Sequence, residues 1–268
     1  TTLDEPYEVG ASKVDAAAIY MVLAAGTYEG TFTVTTDKAI YTYSYARAIK
    51  RNTYYDLFID LSAATARRAV DGEWGGGDGS VENPYIVASA AGLVRLASLC
   101  NNTATRAEYA DKHYRQIANI DMAAETVFVP IGATAETAFA GSYDGGNFAI
   151  SNLKITTGDT GACGLFGYLK GASVSNVALK DCEYSSTGQS VGGVVAIAEQ
   201  SVVSGCSVGG TLTGSSETEF DGYASSIVGG VAGRATDSKI ENCKMEGRII
   251  AKTLAGGIAG YANNTAIT

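Results

Sequence analysis

Four short segments in the second half of the chain superimpose without gaps. They are Ala162-Cys-Gly-Leu-Phe-Gly-Tyr168, Val191-Gly-Gly-Val-Val-Ala-Ile197, Val228-Gly-Gly-Val-Ala-Gly-Arg234 and Ala255-Gly-Gly-Ile-Ala-Gly-Tyr261. Their third residues, 164, 193, 230 and 257, stand 29, 37 and 27 residues apart. A second set is interleaved with the first: Ile150-Ser-Asn-Leu-Lys-Ile155, Val174-Ser-Asn-Val-Ala-Leu179, Val203-Ser-Gly-Cys-Ser-Val208 and Ile240-Glu-Asn-Cys-Lys-Met245, at steps of 24, 29 and 37. Apolar positions alternate within these segments and show no helical period. Repeats of this length predict a solenoid of parallel β-coils. In the first set a large column, Leu165, Val194, Val231 and Ile258, is flanked two residues away by small ones. Those are Cys163, Gly192, Gly229 and Gly256 on one side and Gly167, Ala196, Gly233 and Gly260 on the other. Strand alternation puts all three columns on one face, which we read as a narrow interior. In the second set Asn152, Asn176 and Asn242 align, with Gly205 in the fourth place. Asn and Gly tolerate left-handed backbone, so this column predicts a corner, where each Asn can bond to the Asn of the next coil.

The first quarter has a different pattern. Residues Ala18–Ala24, Gly30–Thr36, Ala39–Tyr45 and Tyr54–Leu61 read as strands of an antiparallel meander. In Tyr41-Thr42-Tyr43-Ser44-Tyr45 the rings share one side and the hydroxyls the other, as a half-buried strand requires. Between Arg67 and Pro84, glycines at 75, 76, 77 and 79 remove the side chains that hold a fold, which predicts a linker or exposed loop with Trp74 seating it on a domain. Asp71, Glu73 and Asp78 could ligate calcium there, although their spacing fits no calcium loop. Ser89 then caps a helix with Leu93, Leu96, Ala97 and Cys100 on one side, ending at Asn101-Asn102. Strand character returns at Ile117–Met122 and Val127–Ile131.

Composition narrows the class. Glycine supplies 33 of 268 residues and proline only 3, against averages of about 7 % and about 5 %, which excludes collagen, proline-rich linkers and helical bundles. With 46 % hydrophobic and 18 % charged residues the chain can bury a full core. The net charge of −9, with no basic run beyond Lys50-Arg51 or Arg67-Arg68, lacks the footprint of a nucleic-acid binder. No apolar run approaches the ~20 residues of a membrane helix, and residues 1–30 hold no signal-peptide pattern.

Five cysteines (Cys100, Cys163, Cys182, Cys206, Cys243) lack CxxC spacing and one histidine, His113, accompanies them, so no zinc site is assigned. Cys206 and Cys243 occupy one column a coil apart, and we expect two buried thiols there, because adjacent parallel side chains rarely offer a disulfide dihedral. Coil carboxylates Asp144, Asp159, Asp181, Asp221 and Asp237 form no close pair of the kind glycan lyases and hydrolases need. Gly-x-Ser-x-Gly is absent, and His113 reads as a surface or cap residue. We assign no catalytic, cofactor-binding or metal residues. The polar stretch Gly214–Ser226 accounts for the longest step and reads as a loop protruding from one coil, a common contact surface on solenoids.

Phe128-Val-Pro-Ile-Gly132, Phe139-Ala-Gly-Ser-Tyr-Asp-Gly145, Ile150-Ser-Asn-Leu153, Gly164-Leu-Phe-Gly-Tyr168 and the Val-Gly-Gly-Val-Ala-Gly repeats together resemble GLUG-motif β-helices. Asn83-Pro-Tyr-Ile-Val87 resembles that family's opening strand. The one departure is Gly146 before Asn147 where the family has Asn then Gly. Both tolerate positive φ, so the turn is expected to survive. Residues 16–62, above all Ala24–Val34 and Ile49–Leu57, resemble the closing strands of fimbrillin-like domains of gut Bacteroidetes surface proteins. The resemblance implies an all-β chain: an antiparallel β-sandwich-like domain, expected to be incomplete, at 1–66, a Gly-rich linker at 67–82, and a parallel, right-handed β-helix with a helical cap at 83–268. GLUG repeats also accompany metallopeptidases that cleave immunoglobulin A, but HExxH is absent here. The implied role is a non-catalytic adhesion module, secreted or at the cell surface and outer-membrane anchored in the full-length protein. Its expected partner is a host or bacterial surface protein or glycan. The alternative is a glycan-binding or glycan-cleaving β-helix using Tyr168, Tyr223 and Tyr261. Thr265–Thr268 stop where a further strand is expected, leaving an open coil edge for pairing. We therefore expect the chain to be part of a longer protein.

Overall fold

The computed structural model describes residues 26–35, 39–49, 65–68, 74 and 76–268, apart from 159–160, 189, 218, 221–222 and 225. The chain divides into two compact units, Thr1–Ala69 and Val70–Thr268. In the first, strands Gly26–Thr35, Ala39–Ile49 and Thr65–Arg68 form one antiparallel sheet with the middle strand central. Val34, Phe32 and Gly30 stand opposite Tyr41, Tyr43 and Tyr45, so two of the four expected strands pair as a meander requires. The other two, Ala18–Ala24 and Tyr54–Leu61, lie outside the described residues, as do Asp71 and Glu73. The described part of this unit is a single sheet, not a sandwich.

The second unit is a parallel β-solenoid. One ladder has seven strands: Tyr85–Val87, His113–Gln116, Ser142–Asp144, Ser173–Ser175, Val202–Ser204, Lys239–Glu241 and Ala266–Ile267. A second runs from Ile120–Asp121 through Ala149–Ser151, Ala178–Ser186 and Ser207–Gly214 to Lys244–Met245, with Lys154–Thr157 and Arg248–Ile250 continuing it. A third holds Ser190–Gly192, Ile227–Gly229 and Leu254–Gly256, and a fourth Phe166–Lys170, Val195–Glu199, Ala232–Thr236 and Ala259–Asn263. From Ala178 onward each coil visits the second, third, fourth and first ladders in turn. Gly192, Gly229 and Gly256 are mutual register partners, so the first repeat reads the stacking correctly.

The large column is the core: Leu165, Val194 and Val231 are fully buried and Ile258 partly so. Val194 and Val195 are both inaccessible, which strict alternation cannot produce. The chain bends at Gly193 and Val194 between two strands, which interrupts the alternation. The turn is pinned from the next coil, where the Val231 carbonyl accepts from the N–H groups of Val194 and Val195, both at 3.0 Å. The flanking small residues have a different reason from the one expected. A Cβ on Gly192 would stand 2.0 Å from the Val195 carbonyl oxygen, and one on Gly229 or Gly256 would stand 1.8 Å from that of Ala232 or Ala259. Backbone, rather than interior side chains, occupies the space.

The second repeat is partly out of register. Val174 pairs with Val203, Val203 with Ile240, and Val174 with Tyr143 rather than Ile150. Ile150 lies on the second ladder beside Leu179. Asn176, Gly205 and Asn242 do share a left-handed corner, at φ 54, 62 and 53, bonding through their N–H groups to Ser204, Glu241 and Thr268 of the following coil. Asn152 belongs to another corner, stacked under Asp181. The corner side chains also bond differently from the expected Asn–Asn ladder. Asn176 Nδ2 donates to Asp144 Oδ1 at 2.9 Å and Asn152 Nδ2 to Asp121 Oδ1 at 2.8 Å, each in the preceding coil. Gly146 and Asn147 both take positive φ, at 58 and 63, as expected of the exchanged pair. Asn176→Ala should lower stability by about 1–2 kcal/mol, because alanine keeps the β-carbon that left-handed backbone penalises and loses the carboxamide that offsets that penalty by bonding to Asp144. Asn176→Gly should lower it by less, and urea midpoints of the two variants provide the comparison.

Helix Ala90–Asn101 closes the first end. Ser89 Oγ accepts from Gly92 N–H at 3.2 Å, and Leu93, Leu96, Ala97 and Cys100 are its buried positions. Trp74, also buried, stacks on Tyr85 at 5.2 Å and meets Tyr114 edge-on at 5.3 Å. The glycine stretch after it is bonded onto the solenoid through Ile86 N–H to Gly76 O and His113 N–H to Gly79 O, both 3.0 Å. The expected strand at Ile117–Met122 shrinks to Ile120–Asp121, with Ile117 exposed. The Val127–Ile131 segment is extended but joins a ladder only through an Ile131–Phe166 bridge. Among the described residues no helix is long and apolar enough to cross a membrane.

Candidate functional site

The fourth ladder carries a partly exposed column on its outer side. Tyr168 pairs with Ile197, Ile197 with Arg234, and Arg234 with Tyr261. Lys170, Glu199, Thr236 and Asn263 form the neighbouring column in the same register. Rungs spaced ~4.8 Å apart place the two tyrosines ~14 Å from one another along the axis. Partial burial raises the Tyr168 hydroxyl pKa, the nearby Arg234 opposes that shift, and Glu136 and Glu199 add to it. The strip therefore combines ring faces, one guanidinium, carboxylates and an amide. Such a set can stack on apolar sugar faces and hydrogen-bond to hydroxyls. Tyr168 and Tyr261 are thus brought together, whereas Tyr223 lies on the separate hairpin Glu219–Phe220/Tyr223–Ala224. Ile197 and Arg234 were not singled out in the sequence. The signal for them was available, since they hold the seventh place of the same aligned segments as the two tyrosines.

The remaining candidates are dispersed. His113 begins the second rung of the first ladder, with its Nδ1 2.6 Å from Ser142 Oγ on the next rung. Asp144 accepts from Asn176, while Asp181 and Asp237 occupy left-handed backbone. Asp159 and Asp221 are outside the described residues. Among the described residues no three His, Cys, Asp or Glu side chains converge as a metal site. A groove of about 320 Å³ lies between the cap helix and Val127–Val129, lined by Val94, Ala97, Ser98 and Asn101. The insertion of the longest coil forms the hairpin, and Lys252 of the following coil pairs with Glu217 at its base.

All five cysteines are free. Burial pushes Cys100, Cys163 and Cys182 up to about 12. Cys206 is buried as expected, but Cys243 is only half-buried. The Cys206 side chain and backbone N–H beside Cys243 lower the Cys243 thiol, while the Cys243 side chain and burial push Cys206 up.

Residues 224–250 match the GLUG motif. Over 202 residues the chain is 33 % identical to halomucin of Haloquadratum walsbyi, an alignment spanning 71 % of this chain and 2 % of halomucin. The fold is similar to that of a Bacteroides ovatus protein provisionally named an immunoglobulin A1 protease, with a TM-score of 0.54 and 21 % identity over 71 % of this chain and 66 % of that one. Both relatives are longer than the part this chain matches. The chain is a parallel β-solenoid that carries the GLUG motif and is related in sequence to halomucin.

Proposed function

We propose that the chain is a non-catalytic, extracellular adhesion or interaction module, anchored at the outer membrane in the full-length protein, in which the solenoid is a rigid support for a binding loop. The observation that carries this reading is the insertion in one coil. The step from Gly193 to Gly230 is 37 residues, against 29 and 27 for its neighbours, and the additional chain forms a hairpin instead of lengthening a ladder. Similarity to a protein named as a mucin supports the extracellular placement. The separation of Asp144, Asp181 and Asp237 on different corners supports a non-catalytic role. Replacing 217–225 by a short turn should lower attachment to host or bacterial cells at least tenfold while leaving the circular dichroism spectrum unchanged. Unchanged attachment would leave a spacer stalk.

The fourth-ladder strip favours a second reading, glycan binding or cleavage, because it aligns Tyr168, Arg234 and Tyr261. A glycan array and a reducing-sugar assay separate the two. Array binding lost in Tyr168→Ala and Tyr261→Ala supports the strip, and turnover of any polysaccharide overturns the non-catalytic reading.

A further inference from the structure

We propose that Cys206 and Cys243 form a modification site, a dithiol that a low-molecular-weight disulfide oxidises to an intramolecular bond tying two successive coils together. Ser204 lies opposite Glu241 and Ser207 opposite Lys244, so the two cysteines between them are stacked one rung apart. A rung spacing of ~4.8 Å lies within the roughly 4.4–6.8 Å that Cα atoms of a disulfide span. The Cys206 N–H donates to Cys243 Sγ at 3.4 Å, and Cys243 Sγ also lies 3.7 Å from the Val203 carbonyl of the same coil. The Cys243 sulfur therefore already rests against the coil that bears Cys206. Each thiol makes the same local contact, to the carbonyl two residues earlier: Ser204 for Cys206 and Glu241 for Cys243, both at 3.3 Å.

The usual obstacle to bridging adjacent parallel strands is the fixed side-by-side direction of ladder side chains. It is relieved here, because each cysteine directly follows a left-handed corner residue, Gly205 or Asn242, and lies between strands. Reactivity is also divided as a two-step exchange requires. Cys243 is half-exposed and reachable, while Cys206 is buried behind it. The Cys243 thiolate attacks one sulfur of the reagent RSSR, forming a mixed disulfide and expelling RS⁻. Cys206 then loses its proton and attacks the Cys243 sulfur, forming the protein disulfide and expelling the second RS⁻. Two protein thiols are oxidised and the reagent is reduced to two thiols. The bond would close the 37-residue interval between the two residues and tie two successive coils together.

The test incubates the folded chain with a mixture of oxidised and reduced glutathione, then counts thiols after acid quench and denaturation. We expect five free thiols to fall to three, with a mass loss of two hydrogens and a cross-linked peptide joining Cys206 to Cys243. The thermal midpoint should rise by roughly 5–10 °C. The rate should increase with pH and do so below the range of an ordinary thiol, because the Cys206 contact lowers the Cys243 thiol. C243S should lose no thiol, and C206S should retain glutathione on Cys243. The proposal is overturned if the wild-type count stays at five, if glutathione persists on wild-type Cys243, or if the bond joins other cysteines or two chains.

Discussion

Replacing Gly230 with alanine should lower stability by about 3 kcal/mol, at the upper end of the range for overpacked interiors. The same replacement at Gly257 should be close to neutral. The two glycines hold the same place in successive repeats, and neither has left-handed backbone. They differ in what lies above them. A Cβ on Gly230 would stand 2.0 Å from the Gly257 carbonyl oxygen and 2.7 Å from Met245 Cβ. On Gly257 it would meet nothing within 4 Å. The colliding oxygen belongs to the backbone of the next coil, so no rotamer change relieves the clash. Alanine also stiffens the unfolded chain, worth roughly 0.4–1 kcal/mol in its favour, and that gain should be visible only at Gly257. Urea unfolding of the two variants checks the expectation. Equal midpoints would mean that the glycines do not mark rung-on-rung contact.

Phe166→Ala is the second large effect, with an expected loss of about 3–5 kcal/mol. Phe166 is completely buried, and its ring lies 5.2 Å from Phe139 and 5.7 Å from Tyr143. Its column narrows along the axis, from Phe166 through Val195 to Ala232 and Ala259. The aromatic ring therefore fills a wide part of the interior that neighbouring coils do not need to fill. Truncation leaves a cavity walled by two rings and by ladder backbone, which cannot collapse into it. Ile267→Ala, at 45 % exposure, should cost under about 1 kcal/mol by area removed from water. Thermal midpoints that fell equally for both variants would contradict this placement of the core.

Much of the solenoid was legible because its coils repeat. The Val-Gly-Gly segments carry their register in the sequence, and Gly192, Gly229 and Gly256 meet as that alignment requires. The cap helix was equally local, since Ser89 and the spacing of Leu93, Leu96 and Cys100 are set within twelve residues. The Asn column was readable only in part. Ile150-Ser-Asn and Val174-Ser-Asn are nearly the same tripeptide serving two different corners, and only strand pairing distinguishes them. A third left-handed corner, at Gly171, Gln200, Asp237 and Asn264, leaves no repeat in the sequence because four different residues occupy it. The strip from Tyr168 to Tyr261 is the seventh place of the aligned segments, and alternation with buried Leu169 and Ala198 turns it outward.

What the chain's own chemistry determined was its repeat, its interior apolar column and its capped first end, each written in short-range pattern. Stacking decided the rest. Glycine is required where a neighbouring backbone passes, Cys243 is less covered than Cys206 although the two share a column, and Ile258 is less covered than Val231 although the two occupy the same place in the repeat. A repeat specifies equal side chains at equal positions, but burial depends on whether another rung is present on each side, and that is a property of the assembled coils.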